Sequence, residues 1–180
     1  SFDLFKKVGG GKSTNLALLT ANGVRVPEFF AITSDYTRDT CFDLLSGVDW
    51  PNFEITEENC LNLQKLILGY SYSDEEKSIV NDGLTKLSLT EQHLAIRSSG
   101  IDEDSKEFSF AGQYDSFLFM KGRDQVLDSI KKCIASSLSF RVLSYRKKNG
   151  LSLSDNRIGI VVQKMIFSEK SGVCFSRHPL

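Results

Sequence analysis

The chain reads as an α+β protein forming one domain, because helical and strand-like patterns of apolar residues occupy different parts of it. Apolar residues recur at helical spacing through much of residues 13–87, whereas short apolar segments between turns dominate from residue 93 onward. A length of 180 residues with 41% hydrophobic composition supplies a sizeable core for one such domain.

Taken in order, Ser13-Thr14 ahead of Asn15-Leu16-Ala17-Leu18-Leu19 predicts an N-cap and a short helix closed by Gly23. The glycines before it then sit at a helix N-terminus. Pro27 introduces an extended stretch at Phe29-Phe30-Ala31-Ile32, and Ser34-Asp35 opens a helix whose apolar face includes Phe42 and Leu45. A third helix starts near Thr56 and turns Leu63, Leu66 and Ile67 inward. A fourth starts near Ser73, where Asp74, Glu75 and Glu76 suit a helix N-terminus, and carries Ile79, Val80, Leu84 and Leu87.

Strand candidates follow at His93–Ile96, Phe117–Phe119, Ile158–Val162 and Val173–Phe175. Between them Val126, Leu127, Ile130, Ile134 and Leu138 keep helical spacing, so the sheet has helical cover. Asn149-Gly150 through Asp155-Asn156 reads as a loop, and no internal repeat interrupts the pattern.

Lys and Arg total 22 against 23 Asp and Glu, a net charge of -1, so no basic field draws nucleic acid and any charge chemistry is local. Cys41, Cys60, Cys133 and Cys174 are too scattered for a zinc site and read as reduced thiols of a cytoplasmic protein. No apolar run approaches the ~20 residues that span a bilayer, and the N-terminus lacks a leader pattern. The start at Ser1 without methionine and the end at His178-Pro179-Leu180 read as a piece of a longer protein.

Four segments carry possible chemistry. In Val8-Gly9-Gly10-Gly11-Lys12-Ser13-Thr14, glycines let the backbone approach an anion, a helix start offers N–H groups, and Lys12 adds a full charge. A Walker A loop needs a further glycine where Lys6 stands, so a P-loop does not fit. Ala95-Ile96-Arg97-Ser98-Ser99 leads from a strand into an acid-rich loop, and the Arg97 fork suits a phosphate with Ser98 and Ser99 donating beside it. Ser109-Phe110-Ala111-Gly112-Gln113-Tyr114-Asp115-Ser116 is a small-residue turn able to cover a phosphate chain. Val161-Val162-Gln163-Lys164-Met165 sets an amide in an apolar strand, which suits a flat base. Each also has a plain structural reading: a helix-entry turn, an arginine paired with Glu103 or Asp104, an ordinary turn, and a core strand.

In order, Gly-Gly-Lys-x-x-Asn-Leu, Arg-Ser-Ser-x-x-x-Glu-Asp-Ser, Ser-Phe-Ala-Gly-Gln and Val-Gln-x-Met followed by Ser-Gly-Val-x-Phe resemble the N-terminal ATP-binding domain of the pyruvate phosphate dikinase and phosphoenolpyruvate synthase family, which includes the rifampicin phosphotransferases. The resemblance runs from Val8 to Pro179 and takes in Val26-Pro27, Phe30 and Ile32-Thr33, although Phe29 stands where the family has glycine.

It implies an ATP-grasp-like fold, a mixed sheet under helical cover, with residues 1–180 forming a partial ATP-binding domain that stops before the metal-binding lobe. It also implies ATP bound with magnesium whose ligands lie outside this chain. Phosphate would move from ATP to a histidine on a separate swivelling domain, and then to an acceptor such as pyruvate. By the same resemblance Lys12 and Arg97 are the catalytic cations; Gly10, Gly11, Ser98, Ala111, Gly112, Gln113 and Ser116 surround the phosphates; and Gln163 and Met165 line the adenine. His93 and His178 match no motif and read as packed or surface side chains. The partners implied are ATP and the missing C-terminal lobe and phosphohistidine domain, with no nucleic acid and no membrane. The alternative is a catalytically inactive nucleotide-sensing or interaction module of the same fold.

Overall fold

The structure, a computed structural model, describes residues 2–101 and 113–173, with side chains at all of these except 2–5, 38 and 40–43. Among them four strands form one sheet: β1 (Phe29–Ile32), β2 (Leu94–Gly100), β3 (Ser116–Met120) and β4 (Ile158–Lys164). The order is β1-β4-β2-β3, and every pairing is antiparallel. The mixed sheet expected from the resemblance is therefore corrected for the described strands. Apolar alternation reveals a half-buried strand but carries no record of its direction.

The helices are α1 (Phe2–Ala21), α2 (Ser34–Leu45), α3 (Glu57–Leu68), α4 (Asp74–Lys86), α5 (Gly122–Ser136) and α6 (Phe140–Lys148), with a single 3-10 turn at Trp50–Asn52. Most begin where short hydroxyl side chains can accept orphan N–H groups. Thr33 accepts from Tyr36 N–H, Thr56 from Asn59 N–H and Ser139 from Val142 N–H. At α4 the cap is reciprocal: Ser73 N–H donates to Glu76 Oε2 at 2.7 Å and Glu76 N–H donates to Ser73 Oγ at 3.2 Å.

Antiparallel pairing with period-two alternation gives the sheet two distinct faces. Ile32, Leu94, Ile96, Ile158, Ile160 and Val162 point to one of them and join Val126, Ile130, Cys133 and Ile134 of α5 in the core. Helix α5 in turn packs on α3 and α4, so the core lies between this sheet face and the helical layer.

Several expectations need correction. Leu66, Ile79 and Leu87 are exposed at 47%, 50% and 36%, because the buried stripes are Cys60, Leu63 and Ile67 on α3 and Val80 and Leu84 on α4. Each stripe keeps i, i+3, i+4 or i+7 spacing, and Leu66 and Ile79 fall outside it while Leu87 lies just past the end of α4. Helix α6 was not foreseen, since its inward residues are only Val142, Leu143 and Arg146. Arg146 is buried and donates to the carbonyls of Ser152 and Asp155, which pins the loop expected after Asn149. Val173 is 80% exposed outside any strand; Cys174 and Phe175, the rest of that candidate, and the side chain of Phe42 lie outside the described residues.

Candidate nucleotide site

Opposite the core, the second sheet face carries Phe29 and Ala31 of β1, Gly159, Val161 and Gln163 of β4, Ala95, Arg97 and Ser99 of β2, and Ser116 of β3. The register fixes this: Gln163 pairs with Ala95 and Phe29, Val161 with Arg97 and Ala31, Gly159 with Ser99, and Arg97 with Ser116. Directly opposed residues in an antiparallel pair share a face.

The glycine segment lies on this same face. Helix α1 breaks at Gly10, whose φ of 76° and ψ of 176° belong to a region open essentially to glycine alone. A Cβ at Gly10 would collide with the Ser99 carbonyl and stand 2.6 Å from Ser99 Oγ. The expected helix start is thereby corrected. Chain on either side of Gly10 is helical, and Ser13 and Thr14 lie inside the second segment rather than capping it. Their hydroxyls donate backward, Ser13 Oγ to the Gly9 carbonyl at 2.6 Å and the Gly10 carbonyl at 3.0 Å, and Thr14 Oγ1 to the Gly10 carbonyl at 2.8 Å. The Ser13 N–H meets Ser99 Oγ at 3.4 Å, so the capping oxygen comes from β2.

Lys12 follows in the first turn of that segment and is partly buried. Its ammonium is near enough to act on the buried Cys133 thiol. Burial pushes that thiol up to about 11, partly offset by the hydrogen bond from Ser98 and by the Lys12 charge. Arg97 is half-buried midway along β2, and no described carboxylate pairs with it. Glu103 and Asp104, the partners of its plain structural reading, lie outside the described residues.

The glycine turn that carries Gly10, Gly11 and Lys12 thus lies against the sheet face that presents Arg97, Ser116 and Gln163. From Ser99 to Ala95, and equally from Gly159 to Gln163, four residues of strand span roughly 14 Å. Gln163 is buried and Met165 half-buried; Met165 N–H donates to the His93 carbonyl at 2.8 Å, which carries the strand alternation one step past β4.

Ser98 is not brought to this face. It pairs with Ile160 on the core side, is 1% exposed, and its hydroxyl donates to the Asp115 carbonyl at 3.2 Å. The reason is that β2 does not end at Arg97 but runs to Gly100, so alternation turns Ser98 inward and Ser99 outward. Ser99, named in the sequence together with Ser98, does share the Arg97 face, and Gly159 is the residue of this face next to the glycine turn that sequence reasoning did not single out. Extending the alternation Leu94-in, Ala95-out by four residues would have separated Ser99 from Ser98. Gln113 sits in the turn before β3; its carbonyl accepts from Arg141 at 2.6 Å, and its Oε1 is buried without a partner among the described residues. Ala111 and Gly112 lie outside the described residues, as does His178. His93 is exposed just ahead of β2, its ring edge-on to Phe119 and Phe167.

Comparison with known proteins places this site in context. Residues 6–180 match the family model described as the pyruvate phosphate dikinase, AMP/ATP-binding domain. The chain is 36% identical over 174 residues to an uncharacterized phosphotransferase of Bacillus subtilis (strain 168), covering 97% of this chain and 20% of the relative. It is 31% identical over 185 residues to a probable phosphoenolpyruvate synthase of Methanothermobacter thermautotrophicus, covering 96% and 27%. Against the phosphoenolpyruvate synthase of Pyrococcus furiosus the identity is 29% over 216 residues, covering 95% and 26%. The chain therefore spans between a fifth and just over a quarter of the length of these relatives. No helix among the described residues is long and apolar enough to cross a membrane. With nearly its whole length matched by that model and its glycine turn, arginine strand and glutamine strand gathered on one sheet face, the chain belongs to the pyruvate phosphate dikinase family as its AMP/ATP-binding domain.

Proposed function

We propose that this domain binds ATP along the sheet face opposite the core, with the phosphates at the glycine turn, Lys12 and Arg97 and the adenine at Gln163 and Met165. The observation that supports this most is the single file from Gly10 through Arg97 to Gln163, which orders a phosphate-seeking end and a base-seeking end along two adjacent strands. Phosphoryl transfer asks chiefly for cations and donors placed around the moving charge, and Lys12 and Arg97 supply two. Ser116, opposite Arg97, adds a hydroxyl, and in this reading Ala111, Gly112 and Gln113 close over the phosphates.

The fold is ATP-grasp-like in this proposal, and residues 1–180 are the N-terminal part of the nucleotide-binding unit of a cytoplasmic protein. Among the described residues no three His, Cys, Asp or Glu side chains gather into a cation site. The magnesium that accompanies ATP takes its ligands, in this reading, from outside this chain. A histidine on a separate swivelling domain then receives the phosphate and carries it to an acceptor such as pyruvate, while the isolated chain binds without turnover. The much greater length of the relatives has room for such domains.

Calorimetric titration with ATP tests the binding. Loss of two charge-assisted contacts in a Lys12→Ala, Arg97→Ala double variant is expected to weaken ATP by at least about tenfold. Equal affinity of the variant and the unmodified chain would refute the assignment. Radiolabel from ATP appearing on a histidine of the longer protein separates the phosphotransferase from a nucleotide sensor.

A further inference from the structure

We propose that Gly159 and Ser99 are positioning residues that set the height and tilt of the glycine turn on the sheet, and through it the place of Lys12. The proposal rests on the reading of the Lys12 turn as the phosphate-binding end, and neither residue is required to touch the nucleotide.

Two constraints converge on the turn from adjacent strands. On β4, a Cβ at Gly159 would collide with the Gly9 carbonyl oxygen and stand 2.8 Å from its carbon and 3.1 Å from its Cα. These are backbone atoms, so a methyl group there has no flexible neighbour to displace and the turn itself must lift. On β2, Ser99 pairs with Gly159 across the ladder and is fully buried. Its backbone and hydroxyl fill the space that a side chain at Gly10 would take, and its Oγ accepts the Ser13 N–H.

The two constraints differ in strength. At 3.4 Å the Ser13 to Ser99 bond is long, beyond the usual 2.7–3.2 Å range, so its removal is a modest change. The contact at Gly159 is hard-sphere and admits no such relaxation. The Gly9 carbonyl that rests on Gly159 is also the one held by the Ser13 hydroxyl at 2.6 Å. Lifting it disturbs the helical turn that contains Lys12. The pairing of a glycine on β4 with a glycine-only conformation on α1 therefore fits a turn whose position is dictated by the sheet rather than by its own sequence.

The test uses the 180-residue chain with Gly159→Ala and Ser99→Ala, each titrated with ATP and with adenosine and each mapped by amide chemical shifts. Gly159→Ala is expected to weaken ATP by about tenfold or more and Ser99→Ala by a few-fold, with adenosine affinity unchanged in both. Amide shifts at Gly9 to Ser13 move in both variants. A general loss of structure would lower ATP and adenosine together, so the ratio identifies positioning. Should Gly159→Ala fail to fold, Ser99→Ala, a simple truncation, carries the same readouts. Unchanged amide shifts at Gly9 to Ser13 overturn the proposal, as does an unchanged ATP to adenosine ratio in a protein that prefers ATP. If the unmodified chain binds ATP no better than adenosine, the phosphate-site reading fails, and the amide shifts alone decide whether the two residues seat the turn.

Discussion

The two faces of the sheet are built from the same strands and obey opposite rules. Toward α5, β2 and β4 present Leu94, Ile96, Ile158, Ile160 and Val162, large apolar side chains that are all but fully buried. On the other face the same strands present Ala95, Arg97, Ser99, Gly159 and Gln163, which are small, polar or charged, around the buried Val161. One face excludes water by filling space, and the other leaves room for a backbone turn and places polar groups beside it. Stability should therefore follow the first face and ligand selectivity the second, and this separation can be broken by substitution.

The largest expected effect is on the core face. Ile96→Ala removes a fully buried side chain from the middle of the sheet and is expected to cost about 2–5 kcal/mol in urea unfolding, with no selective change in ATP over adenosine. A selective loss of ATP binding in that variant would show that the faces are coupled. A smaller change is expected opposite: Gln163→Leu should weaken adenosine by about 0.5–1.5 kcal/mol, a few-fold in affinity, with a smaller cost to unfolding than Ile96→Ala. Unaltered adenosine binding would remove Gln163 from the base site.

The smallest effect, as read at pH 9, concerns Cys133, a buried thiol of α5 on the core side. Its folded value of about 11 stands above the ordinary 9.0 of a thiol in the unfolded chain, so the folded state holds the proton longer. The associated stability is complete below pH 9 and is lost as pH rises through 11, with about a few tenths of a kcal/mol of it gone by pH 9. Urea midpoints that stay flat between pH 7 and 9 in the unmodified chain relative to Cys133→Ala would contradict it.

Much of the helical layer was legible because its signals are local. The acid-rich start of α4 and the Thr56 start of α3 announce themselves through side chains within three or four residues of the helix end. The apolar stripe of α5, Val126, Leu127, Ile130 and Ile134, is equally local in its spacing. Helix α6 was not legible, because its role is to bury Arg146 against the carbonyls of the following loop, a nonlocal polar arrangement with little apolar pattern. Within the site, Gly10, Gly11, Lys12 and Arg97 were readable as residue types suited to phosphate, and Gln163 as an amide amid apolar neighbours. Ser98 and Ser99 were both readable as donors beside Arg97, but only Ser99 shares its face, since consecutive strand residues point to opposite sides and the strand runs on to Gly100.

By itself, then, the sequence determined where most helices begin, which stretches alternate as strands, and which chemical groups of a kind suited to an anion and a base are present. Family membership followed from the order of its motifs. Only the tertiary structure decided that all strand pairs are antiparallel among the described residues and that α1 breaks at Gly10. It also decided that Gly159 and Ser99 hold that break against the sheet. The physical reason is separation along the chain: Ser13 and Ser99 are 86 positions apart, and no local propensity records which strand a glycine will lie against.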